Sequence, residues 1–156
     1  MKKQREKRKH IIIEIILIIL IVLYITSMLY LLLFQKYWGR AELQLEGHAH
    51  YNLIPFTEIK RFFIYREKVG FAAAFLNLGG NVIGFIPFGI LLPAAFPPLR
   101  RASVVIVLGA LFSGIIEFSQ LMMHVGVCDV DDVILNTIGA AVGYIIYKIA
   151  RAASKH

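Results

Sequence analysis

Residues 15–34 read IILIILIVLYITSMLYLLLF, twenty consecutive positions without a charged side chain. As a helix this stretch is about 30 Å long, which matches the hydrocarbon core of a bilayer. The basic residues before it resemble the start of a signal peptide, but the apolar stretch is too long for one and no small-residue cleavage site follows. The stretch therefore predicts an uncleaved transmembrane helix.

The rest of the chain extends this interpretation. Of its 156 residues 58% are hydrophobic and 17% are charged, which is more apolar than a soluble domain. The basic residues flank long uncharged runs, a pattern of membrane proteins and not of nucleic-acid-binding modules. We predict an all-α integral membrane protein, a compact bundle of four transmembrane helices with a short extracytoplasmic segment between helices one and two. The predicted divisions are a basic arm (1–10), helix one (11–34), the extracytoplasmic segment (35–74), helix two (75–97), helix three (102–123), an acidic turn (124–132) and helix four (133–150).

Basic residues predict the orientation. Residues 1–10, 98–102 and 148–156 hold 11 of the 17 lysines and arginines, and the much longer segment 35–76 holds the other six. Because cytoplasmic loops carry the excess of basic residues, both termini are predicted to be cytoplasmic. The segment 35–76 and the turn 124–132 are then extracytoplasmic, and part of the former, 54–66, is predicted to form a short surface helix.

Small residues recur at a spacing of four in three of the predicted helices. This spacing lets helices approach closely in lipid, within one chain or between copies, so an oligomer is an option. The pairs are Gly80/Gly84, Ala110/Gly114 and Gly139/Gly143.

The predicted topology gathers polar residues on the extracytoplasmic side. Glu117 and Gln120 share a face of helix three, and an acidic turn precedes helix four. A carboxylate at the centre of a membrane helix costs about 2.5–3.5 kcal/mol, so Glu117 is a functional candidate; the alternative is a structural hydrogen bond to Asn81 or Gln120.

The acidic turn also has two interpretations. One aspartate caps the following helix, in which case exchanging Asp131 or Asp132 for asparagine should change stability little, because both residue types cap well. Three carboxylates in four residues exceed what capping needs, so a divalent cation held by Asp129, Asp131 and Asp132 is the alternative. No other cofactor is predicted, and His48, His50 and His124 are interpreted as surface residues.

Four separated motifs resemble the VanZ-like family. They are YNLIPF (51–56), NVIGFIPFGILLP (81–93), IIEFSQ (115–120) and DVDDVILNTIGAAVGY (129–144), and the similarity covers residues 50–147. The resemblance implies a small bacterial integral membrane protein of the cytoplasmic membrane. The family is named for a member linked to resistance to teicoplanin, a glycopeptide antibiotic that carries a lipid, and it implies no settled mechanism.

The polar positions of that family fall on residues that the topology had gathered. Relatives tend to carry an arginine near the position of Val125, which this chain lacks. Arg40, Lys60, Arg61 or Arg66 could balance the acids instead, the nearby histidines are a further option, and a drift of function is the remaining alternative. The implied ligand-binding residues are Asn52, Asn81, Glu117, Gln120, Asp129, Asp131, Asp132 and Asn136.

Three functions are compatible with these residues. The favoured one is a non-enzymatic envelope protein that acts on a membrane lipid or another lipid-linked molecule at the outer leaflet and so lowers susceptibility to antibiotics of the teicoplanin type. The second is an enzyme that modifies a lipid or envelope precursor, with Glu117, Asp131 and Asp132 as catalytic candidates and a metal as an option. The third is a small transporter, which four spans without paired repeats make the weakest of the three.

Overall fold

The computed structural model describes residues 2–34, 51–57, 59–61, 64, 71–123 and 127–154. Four of its helices are long and apolar enough to cross a membrane. The predicted fold class, an all-α membrane protein of four spans, is therefore confirmed. The elements in chain order are α1 (Lys2–Phe34), β1 (Tyr51–Asn52), α2 (Phe71–Ala95), a 3-10 helix (Pro97–Leu99), α3 (Ala102–Met123), β2 (Cys128–Asp129) and α4 (Val130–Ala153).

The helix bounds add detail to the expected divisions of the chain. The basic arm is helical and continuous with α1. Helix α2 runs through both Pro87 and Pro93 without interruption, which membrane helices tolerate because neighbouring groups satisfy the freed carbonyls. Helix α4 begins at Val130, so that two of the three aspartates lie inside its first turn.

Helices α2 and α4 pack with their backbones in contact. A Cβ atom added at Gly143 would lie 2.2 Å from the carbonyl oxygen of Ile86, and one added at Gly139 would lie 2.2 Å from that of Val82. In the other direction, a Cβ at Gly89 would lie 2.1 Å from the carbonyl oxygen of Ala140. Glycine is thus required on both sides of this interface, because any side chain would push the helices apart.

The small-residue pairs do not all serve this purpose. Gly139 and Gly143 form the α2 interface, whereas a Cβ at Gly80 or Gly114 would meet nothing within 4 Å. On α3 the close approach is instead at Gly109, where a Cβ would lie 2.7 Å from the Cβ of Ala140. An oligomer built on the open small-residue faces stays a prediction.

Aromatic rings fill the space between α2 and α3. Phe88 stacks on Phe112 with ring centroids 5.5 Å apart, and Phe85 lies against both rings. Helix α1 also packs against α2, where the hydroxyl of Tyr24 donates a hydrogen bond of 2.9 Å to the carbonyl of Gly84. Most of the apolar side chains of α1 are exposed, as expected for a helix that faces lipid.

Candidate functional site at the acidic end of the bundle

Four carboxylates lie at one end of the bundle, which we call the acidic end: Glu117 near the end of α3, and Asp129, Asp131 and Asp132 where β2 leads into α4. Three of them are buried, with exposed fractions of 4% for Glu117, 7% for Asp129 and 0% for Asp131. Carboxylates removed from water require hydrogen-bond donors, and the donors to these four come from the segment before α2, from α2 itself and from the start of α4.

The first donor segment is the short stretch that precedes α2. Tyr51 and Asn52 pair in parallel with Cys128 and Asp129, a two-residue ladder that no pattern in the sequence predicts. The side-chain amide of Asn52 donates a hydrogen bond of 3.1 Å to Oδ1 of Asp129. The ladder and this bond fasten the segment to the start of α4.

Asp131 caps a helical turn that is remote in sequence. Its Oδ1 accepts the backbone N–H of Phe56, and its Oδ2 accepts that of Ile59 at 3.2 Å. Phe56 has a positive φ of 66°, which is uncommon outside glycine, and its carbonyl accepts the N–H of Lys60, so it lies at the start of the helical turn. The backbone N–H of Asp131 itself donates to Oδ1 of Asp129 at 2.9 Å, so Asp129 is the N-cap of α4.

Glu117 joins α3 to the same cluster. Its Oε2 accepts the backbone N–H of Asp129 at 2.9 Å. Burial raises the pKa of the Asp129 carboxyl, and the neighbouring charge of Asp131 adds to the rise, while the N–H of Asp131, the amide of Asn52 and the guanidinium of Arg61 oppose it. Four basic residues were proposed to balance the acids. Arg61 is one of them, and its charge favours the ionised form of Asp129.

A free thiol lies beside these acids. Burial raises the pKa of the Cys128 thiol, and the charges of Glu117 and Asp129 raise it further. The thiol is therefore kept in its protonated and weakly reactive form.

Amide side chains continue the network toward the centre of the bundle. The amide of Asn81 on α2 donates to Oδ1 of Asp132 on α4. One turn further along α4, the amide of Asn136 donates a hydrogen bond of 2.8 Å to the hydroxyl of Ser113 on α3, and both groups are buried. Ser113 was missing from the predicted site, although its position one turn before Glu117 was a usable signal.

The structure therefore brings most of the predicted residues into contact. Asn52, Asp129, Asp131 and Glu117 form one connected group. Asn81 with Asp132 and Asn136 with Ser113 form two further pairs on the same helices. Gln120 is half-buried on α3, one turn beyond Glu117.

The metal hypothesis gains no support from the part of the chain that the structure describes. No group of three His, Cys, Asp or Glu side chains that could hold a metal ion occurs among these residues. Asp129, Asp131 and Asp132 instead direct oxygens toward N–H donors of different segments. His48, His50, His124, Arg40 and Arg66 lie outside the described residues.

A four-helix integral membrane protein with a buried carboxylate and amide network at one end is the class that this fold and site define. The chain belongs to the VanZ/LLP1 family, whose family model matches residues 18–151. It is 31% identical over 131 residues to Protein VanZ of Enterococcus faecium, an alignment that covers 82% of this chain and 71% of that protein. No solved structure matches the chain.

Proposed function

We propose that this VanZ-like envelope protein acts on an amphiphilic ligand at the outer leaflet of the bacterial cytoplasmic membrane and thereby lowers susceptibility to lipid-bearing glycopeptides of the teicoplanin type. One observation carries the proposal: the acidic network lies next to an exposed apolar surface. Leu53, Ile54 and Ile64, on the segment that Asp131 and Asp129 hold in place, are exposed by 65%, 70% and 72%. A polar headgroup and a lipid tail would both find suitable partners here.

The contacts of the carboxylates favour a binding role over catalysis. An acid or base must reach its substrate, whereas Asp131 accepts two backbone N–H groups and Glu117 accepts another. Asp132, which is half-buried, is the acid best placed to meet a ligand. The enzyme proposal, with Glu117, Asp131 and Asp132 as acid and base, therefore takes second place.

Two substitutions test the function while they preserve the hydrogen bonds that Glu117 accepts from Asp129 and Asp132 accepts from Asn81. Glu117→Gln and Asp132→Asn each retain an oxygen that can accept the bond from Asp129 or Asn81 while they remove a charge. We expect the wild-type protein, produced in a glycopeptide-susceptible bacterium, to raise the inhibitory concentration of teicoplanin but not that of vancomycin. Both variants should lose this effect at unchanged membrane abundance.

The matched control for this test is Ser119→Ala. Ser119 lies on the same helix as Glu117, but its hydroxyl donates to the carbonyl of Ile115 within that helix. This variant should retain full protection. If both charge-removing variants protect as well as the wild type, the carboxylates are structural and the proposal is wrong.

The proposal includes an orientation in which both termini are cytoplasmic, based on the distribution of basic residues. We expect a cysteine at Glu46 to react with a membrane-impermeant thiol reagent in intact cells, and one at Lys3 to react only after permeabilisation. The background for both is Cys128→Ser, since Cys128 is the single cysteine of the chain. Labelling of the Lys3 position in intact cells would contradict this orientation.

A further inference from the structure

A cleft lies at the other end of the bundle, which we call the basic end (Arg100, Arg101, Lys148 and Arg151). The cleft has a volume of about 400 Å³ and opens between the end of α2 and the end of α4. Arg100, Arg151 and Ser154 lie on its wall together with apolar side chains such as Ile90 and Ile146. Cationic and apolar groups therefore share one concave surface.

Both arginines are held in place by neighbouring groups. The Nε of Arg100 donates a hydrogen bond of 3.1 Å to the carbonyl of Pro93, and the carbonyl of Arg100 accepts the hydroxyl of Tyr144 at 3.0 Å. An Nη of Arg151 donates to the hydroxyl of the buried Tyr147 at 3.0 Å. A guanidinium has five N–H donors, and each of these bonds uses one, so the anchoring leaves most of the donor set for a ligand.

No carboxylate in the described part of the chain balances these two charges. The described acids are Glu6 and Glu14 on α1 and the four carboxylates at the acidic end, and none of them pairs with Arg100 or Arg151. The sequence from Pro98 to Ile116 and from Val133 to His156 contains no acidic residue. The charge of the cleft is thus complementary to an anion.

We propose that this cleft binds an anionic phospholipid, with the phosphate between Arg100 and Arg151 and the first part of an acyl chain along Ile90 and Ile146. Guanidinium groups suit phosphate because their planar N–H pairs match its oxygens. Basic pockets between membrane helices are a recurrent site for such headgroups. The apolar part of the wall distinguishes a lipid from free phosphate, which would have no use for it.

Native mass spectrometry of the full chain in mild detergent tests this site. With phosphatidylglycerol and phosphatidylcholine added at equal concentration, the wild type should retain phosphatidylglycerol in preference. Arg151→Gln should weaken that retention about tenfold, the loss expected for one charge-assisted hydrogen bond. The matched control is Arg101→Gln, because Arg101 is exposed, adjacent to Arg100 and absent from the cleft wall.

Two results would overturn the proposal. One is an equal loss in Arg101→Gln and Arg151→Gln, which would indicate general attraction between charges. The other is retention of inorganic phosphate by the wild type as strong as its retention of phosphatidylglycerol at equal concentration. A photoactivatable phosphatidylglycerol crosslinked to the wild type gives an answer that no variant's folding affects: crosslinks at the ends of α2 and α4 support the site, and crosslinks elsewhere contradict it.

Discussion

Gly143→Ala is expected to destabilise the protein by about 3 kcal/mol or more, at the upper end of what overpacking costs. The new methyl group would lie 2.2 Å from the carbonyl oxygen of Ile86 and 2.9 Å from the Cα of Gly89. Both atoms belong to the backbone of α2, so no side-chain rotation can relieve the clash and the two helices must separate. The measurement is the free energy of unfolding in mixed micelles, with thermal aggregation as a second readout.

Gly80→Ala serves as the control for this prediction. The same exchange there meets nothing within 4 Å, and alanine favours the helix over glycine by about 1 kcal/mol. The Gly80 variant should be as stable as the wild type or slightly more so. Equal stability of the two variants would show that the helices can move apart without cost and would contradict the packing described here.

Asp131→Asn is expected to lower the free energy of unfolding by about 1–3 kcal/mol. The carboxylate accepts one N–H on each oxygen, from Phe56 and from Ile59, and an asparagine has only one oxygen. Either orientation of the amide therefore turns an NH₂ group toward an N–H donor inside a buried site. The helical turn that begins at Phe56 should loosen from α4, and the neighbouring Cys128 thiol should then be modified faster than in the wild type.

Asp132→Asn separates this effect from the general loss of charge. Both aspartates lie in the first turn of α4, so both substitutions lose the same favourable interaction with the helix dipole. The asparagine at 132 can still accept the bond from Asn81. We expect its stability to fall by less than about 1 kcal/mol and Cys128 to stay protected; equal behaviour of the two variants would refute the capping role of Asp131.

The sequence treats these two substitutions as equivalent, and the structure distinguishes them. A capping aspartate is recognised from its position before a helix, and that rule reads only the local chain. Asp131 caps a helical turn that begins at Phe56, 75 positions earlier in the chain. The hydrogen-bond donors in that turn are backbone N–H groups, which almost every residue type possesses. The identity of the side chains in that turn therefore does not indicate that Asp131 is its partner.

Long apolar runs made the four spans predictable, because length and hydrophobicity alone decide whether a helix can cross a bilayer. The packing of the helices against one another was harder to predict from the sequence. All three small-residue pairs have the same spacing, yet an added Cβ meets another backbone at Gly139 and Gly143 and does not at Gly80, Gly84 or Gly114. Gly89, which also packs against the opposite backbone, belongs to none of the pairs. The spacing of small residues describes a single helix. Which neighbouring helix packs against them depends on how both helices are rotated about their own axes.

The proximity of most polar residues at the acidic end could be predicted from the sequence, because membrane topology assigns each helix end to one side of the bilayer. Topology predicts how deep a residue lies in the membrane, but not which way its side chain points around the helix axis. Ser113 illustrates the difference. Its position one turn before Glu117 indicates that it lies near the site, but a serine in a membrane helix commonly bonds to its own backbone, as Ser119 does. The partner of Ser113, the buried amide of Asn136, is visible only in the structure.

The parallel pairing of Tyr51–Asn52 with Cys128–Asp129 has a consequence for the order in which the protein forms. Its two strands lie 77 positions apart along the chain, with two complete spans synthesised between them. During synthesis the first strand emerges long before its partner, so the ladder cannot close until α4 begins to leave the ribosome. Acquisition of the complete acidic end is therefore a late, post-insertion event. A nascent chain arrested before Cys128 would carry three inserted helices, α1, α2 and α3, with no partner strand yet for the segment between α1 and α2.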